Sequence, residues 1–172
     1  MFNKLSVSDN IIFIFSLSFV FTAAFALHGK PVPFSNEYHY LILPYKTLHP
    51  EIFEHDWSLS NSPDTIHWVY NHAVGFFTQF FEIENIGWFG RLACWITSLS
   101  FLLLIARQIR LDVRLGAIAI ICWLAIGQSV VGGSWVIGGF EAKSISYCLF
   151  IISVYFAIKQ NLFLSFLFGG LS

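Results

Sequence analysis

The chain has 172 residues, of which 56% are hydrophobic and only 11% are charged. A soluble domain usually carries about 25% charged residues, and residues 115–140 contain no charge at all. That run exceeds the length of about 20 residues that a helix needs to cross a bilayer, so the composition argues against an ordinary soluble protein. The net charge of −1 and the lack of a basic patch give no indication of nucleic-acid binding.

The first apolar run covers residues 11–27 and is expected to cross the membrane once. It ends in Ala24-Phe25-Ala26, a small-x-small pattern typical of a signal-peptidase site, so cleavage of residues 1–26 is an alternative. The run is long for a signal peptide, and Asp9 offsets Lys4, which favours a retained crossing. Under either interpretation the segment that follows lies outside.

Residues 28–85 differ in composition from the rest of the chain. All six histidines and all five prolines lie between residues 28 and 72, and only Lys30 and Lys46 oppose the carboxylates. The segment carries seven carboxylates: Glu37, Glu51, Glu54, Asp56, Asp64, Glu82 and Glu84. It is too aromatic to be simply disordered. We therefore expect a water-exposed, partly ordered outer loop.

One helix within this loop is predicted from about residue 64 to residue 81. Ser62 can cap it, Pro63 suits the first helical position and Asp64 suits the positive end of the helix dipole. Apolar residues then recur at helical spacing: Ile66, Val69, Tyr70, Ala73, Phe77 and Phe80. Because the other side is polar, the pattern favours a helix that lies along the membrane surface over one that spans it.

Further apolar segments predict the remaining crossings, at residues 86–105, 115–131 and 144–158, with a fifth beginning at 162–172. Near the outer end of the second crossing, Arg91 is expected to snorkel or to pair with a loop carboxylate. Between the third and fourth crossings, residues 132–143 contain paired glycines and predict a turn or a short re-entrant piece. The three cysteines, Cys94, Cys122 and Cys148, lie in apolar segments without a CxxC motif and are expected to be small buried side chains.

The expected fold is therefore an all-α, polytopic membrane protein with a single membrane domain over residues 1–172. It has four full crossings, a truncated fifth, and a large first outer loop containing a membrane-surface helix. Three arginines (Arg107, Arg110 and Arg114) fill the short link after the second crossing. The positive-inside rule places this link and the N-terminus in the cytoplasm and loop 28–85 outside. Because the last apolar segment is about half as long as a crossing, we expect an N-terminal fragment of a longer protein or a truncated reading frame.

Three acidic positions are candidates for chemistry. Glu37 follows the first crossing and can act as a general base or metal ligand, or can be a solvated loop acid. Asp56 lies in His55-Asp56-Trp57, where a metal site is one interpretation; Trp57 is alternatively a membrane anchor or a platform for a sugar ring. Glu141 begins the fourth crossing at a depth where carboxylates are often functional, although an acid there also complements the helix dipole.

Two polar residues of the surface helix are further candidates. His67 and Asn71 are four residues apart and are expected to share a helix face, either as ligand contacts or as a wetted surface. The chain has no GxSxG motif, phosphate-binding loop, dinucleotide fingerprint or recognised metal spacing. A divalent metal ion is the cofactor that the acids allow, and the residues do not fix its identity.

The layout and several short motifs resemble the N-terminal part of GT-C type membrane glycosyltransferases, and most closely their bacterial members of unassigned function. The motifs that carry the resemblance are Asn36-Glu37-Tyr38, Leu48-His49-Pro50 with His55-Asp56-Trp57, Gly90-Arg91-Leu92 and Gly139-Phe140-Glu141-Ala142-Lys143. The resemblance covers nearly the whole chain and implies location in a bacterial inner (plasma) membrane, with a polyprenyl-phosphate sugar as donor.

In this family the first outer loop supplies an essential carboxylate that serves as base or metal ligand. The resemblance matches Glu37 to that acid and, more weakly, Glu141 to an acid of the second outer loop. Many members have an acidic pair where this chain has Asn36-Glu37, a departure that bears on metal binding. A fragment would lack the later helices that hold the donor, so we expect it to be inactive alone.

The leading hypothesis is thus an enzyme fragment that transfers a sugar from a lipid-linked donor on the outer face, with Asp56, Trp57, His67 and Asn71 as candidate substrate contacts. The alternative is a non-catalytic transporter, polymer-export subunit or assembly factor. A small membrane subunit that is complete in itself is a third interpretation. The bilayer is the partner that all three hypotheses require.

Overall fold

The computed structural model describes residues 7–60, 67–128 and 135–172. Across these ranges every regular element is a helix, which confirms the predicted all-α class. The elements are α1 (Val7–His28), α2 (Glu37–Leu48), a 3-10 helix (Pro50–Phe53), α3 (Trp57–Ser60), α4 (Trp68–Thr78), α5 (Ile83–Gln108), α6 (Val113–Ile126), α7 (Ala142–Ile158) and α8 (Leu162–Leu171).

Two of the helices are long and apolar enough to cross a membrane. They are α1, with 22 residues, and α5, with 26 residues. The other apolar helices, α6, α7 and α8, coincide with predicted crossings but have only 14, 17 and 10 residues. Because a crossing needs about 20 residues, the predicted number of four crossings stays a prediction. The end of the expected third crossing, residues 129–131, lies outside the described residues.

The chain divides into two compact units. We call residues 1–29, 94–138 and 145–172 the apolar unit, and residues 30–93 with 139–144 the loop unit. The loop unit thus combines the first loop with residues 86–93 of the predicted second crossing and with residues 139–144. The single membrane domain stays a prediction.

The apolar unit packs around one stripe of α1 and the inner halves of α5 and α6. Its core consists of Val20, Ala24, Trp95, Leu99, Leu103, Ala117, Ile120, Leu124 and Ile137. Gln128 is also buried, and it binds both peptide groups of Ile137, donating to its carbonyl oxygen at 2.8 Å and accepting from its N–H at 2.5 Å. Most other α1 side chains remain exposed and apolar; the exposed fractions of Phe15 and Phe19 are 71% and 65%.

The cysteines of the apolar unit follow the prediction only in part. Cys148 is buried, and its sulfur lies 3.1 Å from the hydroxyl of Ser98. Cys94 is half-buried, whereas Cys122 is exposed on α6. All three are free thiols. Cys122 differs because only one face of α6 packs inward, so an apolar segment does not bury every residue it contains.

Two short links, between α5 and α6 and between α7 and α8, end the preceding helix with the same backbone conformation. After α5, Arg110 takes a left-handed conformation (φ 64°), and the N–H of Leu111 bonds the carbonyl of Ala106 at 2.9 Å. After α7, Gln160 takes the same conformation (φ 58°), and the N–H of Asn161 donates to the carbonyl of Phe156 at 2.9 Å. These bonds are those of the Schellman motif, which satisfies carbonyls at a helix end.

The loop unit is built on the contact between α2 and α4. Gly75 permits it, because a Cβ at this position would lie 2.8 Å from the carbonyl oxygen of Pro44. The predicted surface helix is observed as α4, which covers residues 68–78 of the expected 64–81. Its proposed cap at Ser62, Pro63 and Asp64 lies outside the described residues.

Candidate functional site

Glu37 is the centre of a hydrogen-bond network in the loop unit. Its side chain is 0% exposed. Oε1 accepts from Nε of Arg91 at 3.3 Å and from the N–H of Phe140 at 2.5 Å. Oε2 accepts from the N–H of Phe34 at 3.0 Å and from Nη2 of Arg91. The carboxylate thus has four donors, which fills its usual capacity for hydrogen bonds.

Arg91 faces Glu37 from α5 and is 1% exposed. Its Nε and Nη2 bind the two carboxylate oxygens side by side, and Nη1 donates to the carbonyl of Lys30 at 2.5 Å. The guanidinium also lies 4.8 Å from the ring centroid of Trp88, in a cation–π contact. The expected pairing of Arg91 with a loop carboxylate is confirmed, and the partner is Glu37.

The segment that precedes α7 is fixed to this network by backbone contacts. The N–H of Phe140 is held by Glu37, and its carbonyl accepts from the hydroxyl of Tyr70 at 3.1 Å. Gly139 is required beside it, because a Cβ there would lie 3.0 Å from the Cβ of Glu37. These contacts fix the backbone directly before Glu141.

Glu141 occupies the N-cap position of α7, but its carboxylate is not the cap. The hydroxyl of Ser144 accepts from the N–H of Glu141 at 3.3 Å and donates to the carbonyl of Gly139 at 2.8 Å. Ser144 thus bonds back to the backbone before the helix, while the carboxylate of Glu141 makes no capping hydrogen bond. Nζ of Lys143 lies 2.8 Å from its Oε2, as an ion pair without hydrogen-bond alignment, since Oε2 is buried and makes no hydrogen bond within the described chain.

The remaining predicted site residues lie on α3 and α4 or at their starts. Asp56 accepts from the N–H of Leu59 at 3.1 Å and so caps α3. Trp57, the next residue, is 81% exposed. His67 is exposed and lies 5.3 Å, ring to ring, from Tyr40, whereas Asn71 is buried. The predicted common face of His67 and Asn71 is therefore not an open ligand surface.

The structure brings Glu37 and the neighbour of Glu141 into direct contact. Sequence reasoning singled out both acids but missed Tyr70 and Ser144. In the described residues, no three His, Cys, Asp or Glu side chains form a group that could hold a metal ion. The described residues therefore do not fit a divalent metal, because the oxygens of Glu37 are already filled by four donors.

Comparison with known proteins identifies no relative: no protein-family model, curated protein or solved structure matches the chain.

Proposed function

We propose that this chain is an integral membrane protein whose loop unit forms a site at the outer membrane face. The apolar surface supports the membrane location. On α1, only Ser16, Val20 and Ala24 are buried, while bulky side chains such as Phe15 and Phe19 point outward. A soluble protein rarely exposes such a continuous apolar surface, whereas hydrocarbon solvates it at no cost.

The exposed face of α4 supports placement of the loop unit at the membrane surface. This helix buries Tyr70, Asn71, Val74 and Gly75, so a polar amide is inside. Apart from His72, its exposed residues are apolar and mostly aromatic: Trp68, Val69, Ala73, Phe76 and Phe77, followed by Phe80 and Phe81. Aromatic side chains are enriched where the hydrocarbon meets the headgroups. A helix with this arrangement lies in the interface with its aromatic side toward the lipid.

The function that the geometry supports best is sugar transfer from a lipid-linked donor, with the carboxylate of Glu141 as the general base. The observation that carries it is a buried carboxylate that does not cap its helix and whose Oε2 has one described neighbour, the ammonium group of Lys143 at 2.8 Å. It is adjacent to an ammonium group that is partly exposed. A carboxylate beside apolar sequence can accept a proton, and an ammonium can bind a phosphate.

The proposed reaction has one bond made and one broken. The acceptor hydroxyl oxygen attacks the anomeric carbon, and the carbon–oxygen bond to the donor phosphate breaks with its electron pair on that oxygen. The hydroxyl proton passes to Glu141. Lys143 balances the charge on the departing polyprenyl phosphate. The resemblance to GT-C enzymes supplies the donor class.

Glu37 has a different place in this proposal from the one that the sequence predicts. All its lone-pair directions are occupied by donors, so a substrate hydroxyl has no position from which to give it a proton. We assign it a positioning role, since it fixes the N–H of Phe140 next to Glu141. Its predicted role as base stays untested by any measurement of activity.

The test is a transfer assay with the protein in membrane vesicles and radiolabelled polyprenyl-phosphate sugars. Glu141→Gln removes the proton acceptor and is expected to lower the rate by about 10²–10⁴-fold, the usual contribution of a general base. Glu84→Gln makes the same chemical change at an exposed position of the loop unit and is expected to keep full activity. Equal activity of the two variants would exclude Glu141 as the general base.

The saturation of Glu37 also supports a second candidate function, a non-catalytic transporter, export or assembly subunit. In such a protein the Glu37–Arg91 pair would be structural only. The same assay separates the two functions. If vesicles with the protein transfer no polyprenyl-phosphate sugar faster than protein-free vesicles do, the non-catalytic function is favoured.

A further inference from the structure

A cavity of about 310 Å³ opens in the apolar unit where α1 begins, α5 ends and α6 begins. Its size falls in the range of small-molecule sites, about 300–1,000 Å³. The apolar part of its lining comes from Ile12, Leu111 and Val113, and the charged part from Asp9, Arg107, Asp112 and Arg114. A cavity with both kinds of wall suits a ligand that has a charged head and an apolar body.

Two of the four charged groups neutralise each other. Nε and Nη2 of Arg114 lie 3.3 and 3.2 Å from the carboxylate oxygens of Asp112, which also accepts from the N–H of Arg114 at 2.8 Å. These contacts hold the pKa of Asp112 below its ordinary value, the N–H of Arg114 contributing most and its guanidinium next. Asp112 therefore stays ionised and Arg114 stays engaged.

Arg107 differs from Arg114. It lies in the last turn of α5 and is half-buried at the cavity wall. Its side chain has no hydrogen bond or ion pair with the residues that the structure describes. An arginine fork without a carboxylate partner is the group best suited to bind a phosphate through two parallel hydrogen bonds.

We propose that this cavity binds the phosphodiester headgroup of a membrane glycerophospholipid, with Arg107 as its principal ligand. The acyl chains would leave along the exposed apolar surface of α1. The inference rests on the proposed membrane location but not on sugar transfer. Arginine and lysine at the ends of membrane helices commonly bind anionic headgroups. The lining of this cavity holds two aspartates and two arginines, and Arg107 is the arginine that Asp112 does not engage.

The test uses the full chain purified in detergent, with dioleoyl phosphatidylglycerol as the probe and native mass spectrometry to count bound lipid. Arg107→Gln is expected to weaken binding about tenfold, the value of one charged hydrogen-bonded contact. The matched control is Arg110→Gln, which makes the same charge change in the same link but at a residue that does not line the cavity. It is expected to leave binding unchanged.

A third variant has the opposite sign. Asp112→Asn keeps a good helix cap but releases Arg114, so phospholipid binding is expected to strengthen roughly two- to fivefold. Equal weakening by Arg107→Gln and Arg110→Gln would show that only the net charge of the link matters and would overturn the site.

Two further probes identify which part of the lipid is bound. Dioleoylglycerol, which has the same chains without phosphate, is expected to bind far more weakly than the phospholipid. Inorganic phosphate that bound as tightly as the phospholipid would overturn the lipid assignment in favour of a free anion. Thermal unfolding of each variant in the same detergent confirms that it is folded. None of these outcomes bears on the transfer assay, so failure here and failure of the proposed enzyme remain distinguishable.

Discussion

The Glu37–Arg91 pair is buried at a cost that its hydrogen bonds must offset. Each ion loses several kcal/mol of hydration when it leaves water. This loss is offset by the two-point contact between the ions, by the backbone N–H groups of Phe34 and Phe140, and by the carbonyl of Lys30. Since both charges are fully enclosed, neither tolerates the loss of the other. The pair thus ties α5 to both the start of the loop unit and the segment before α7.

Removal of one member is expected to destabilise the protein strongly. Glu37→Leu or Arg91→Leu leaves an uncompensated buried charge or orphaned donors, and each should cost about 3–5 kcal/mol of unfolding free energy. Glu37→Gln should cost less than Glu37→Leu, because an amide oxygen still accepts from a backbone N–H. The measurement is denaturant unfolding in mixed micelles, followed by tryptophan fluorescence.

The double variant Glu37→Leu/Arg91→Leu provides the control for this energetic argument. Removing both charges should cost clearly less than the sum of the two single changes, because no unpaired ion remains. Additive costs would contradict the assignment of a coupled pair. The backbone N–H groups of Phe34 and Phe140 still lose their acceptor, so the double variant should not regain full stability.

The sequence carries the signals for the two acids but not for their surroundings. Glu37 is conspicuous because it follows the first apolar run, Glu141 because it precedes another, and Arg91 because it lies inside an apolar segment. Tyr70 is not, because its role is a hydrogen bond to Phe140, 70 residues away in the chain. Ser144 could have been found, since a serine three residues after the helix start can bond back to it, like the second member of a capping box.

At the scale of elements, the link between α7 and α8 allows a test of what its left-handed residue costs in stability. Gln160 has a left-handed backbone, which costs an L-residue about 1–2 kcal/mol and which glycine adopts freely. Gln160→Gly is therefore expected to stabilise the protein by roughly 0.5–1 kcal/mol, after allowing for the greater freedom of glycine in the unfolded chain. Gln160→Ala is the control, because it removes the side chain but keeps the Cβ.

Thermal or denaturant unfolding of the same chain distinguishes these variants. If the left-handed conformation is the cause, alanine should not stabilise and glycine should. A gain with both substitutions would point instead to the loss of the glutamine side chain. The cap that follows, in which Asn161 accepts from the N–H of Leu164 at 3.2 Å, is retained in both variants.

The predicted elements fail where local rules conflict with packing. The apolar runs at 11–27, 86–105 and 144–158 correspond to α1, α5 and α7 within a few residues. By contrast, α2 was not predicted, because Pro44 lies inside it and proline removes a helical hydrogen bond. The helix persists because Leu41, Leu43 and Pro44 are buried. Burial in the loop unit outweighs an unfavourable propensity that is visible in the sequence.

At the scale of the whole molecule, orientation decides which of the proposals can be correct. The positive-inside rule predicts that the link between α5 and α6, with its arginines, is cytoplasmic. If α5 crosses the membrane once, the same prediction puts the loop unit outside. A site for a donor on the outer face requires this orientation, and so does a phospholipid site of the inner leaflet at Arg107.

Accessibility of single cysteines tests this orientation directly. The native thiols Cys94, Cys122 and Cys148 are first replaced by serine or alanine, and one cysteine is then introduced at Glu54 or at Gln108, both exposed positions. A membrane-impermeant maleimide added to intact cells should label Glu54→Cys at once. It should label Gln108→Cys only after the membrane is permeabilised, because the predicted crossing by α5 separates these two positions.

The converse pattern would reverse both sites together. Labelling of Gln108→Cys in intact cells, with Glu54→Cys protected, would place Glu141 and Lys143 in the cytoplasm, where a donor on the outer face cannot reach them. Labelling of both positions in intact cells would mean that α5 does not cross, and its 26 residues would then need another apolar partner. Only the expected pattern is compatible with a carboxylate that acts outside and an arginine that binds phospholipid inside.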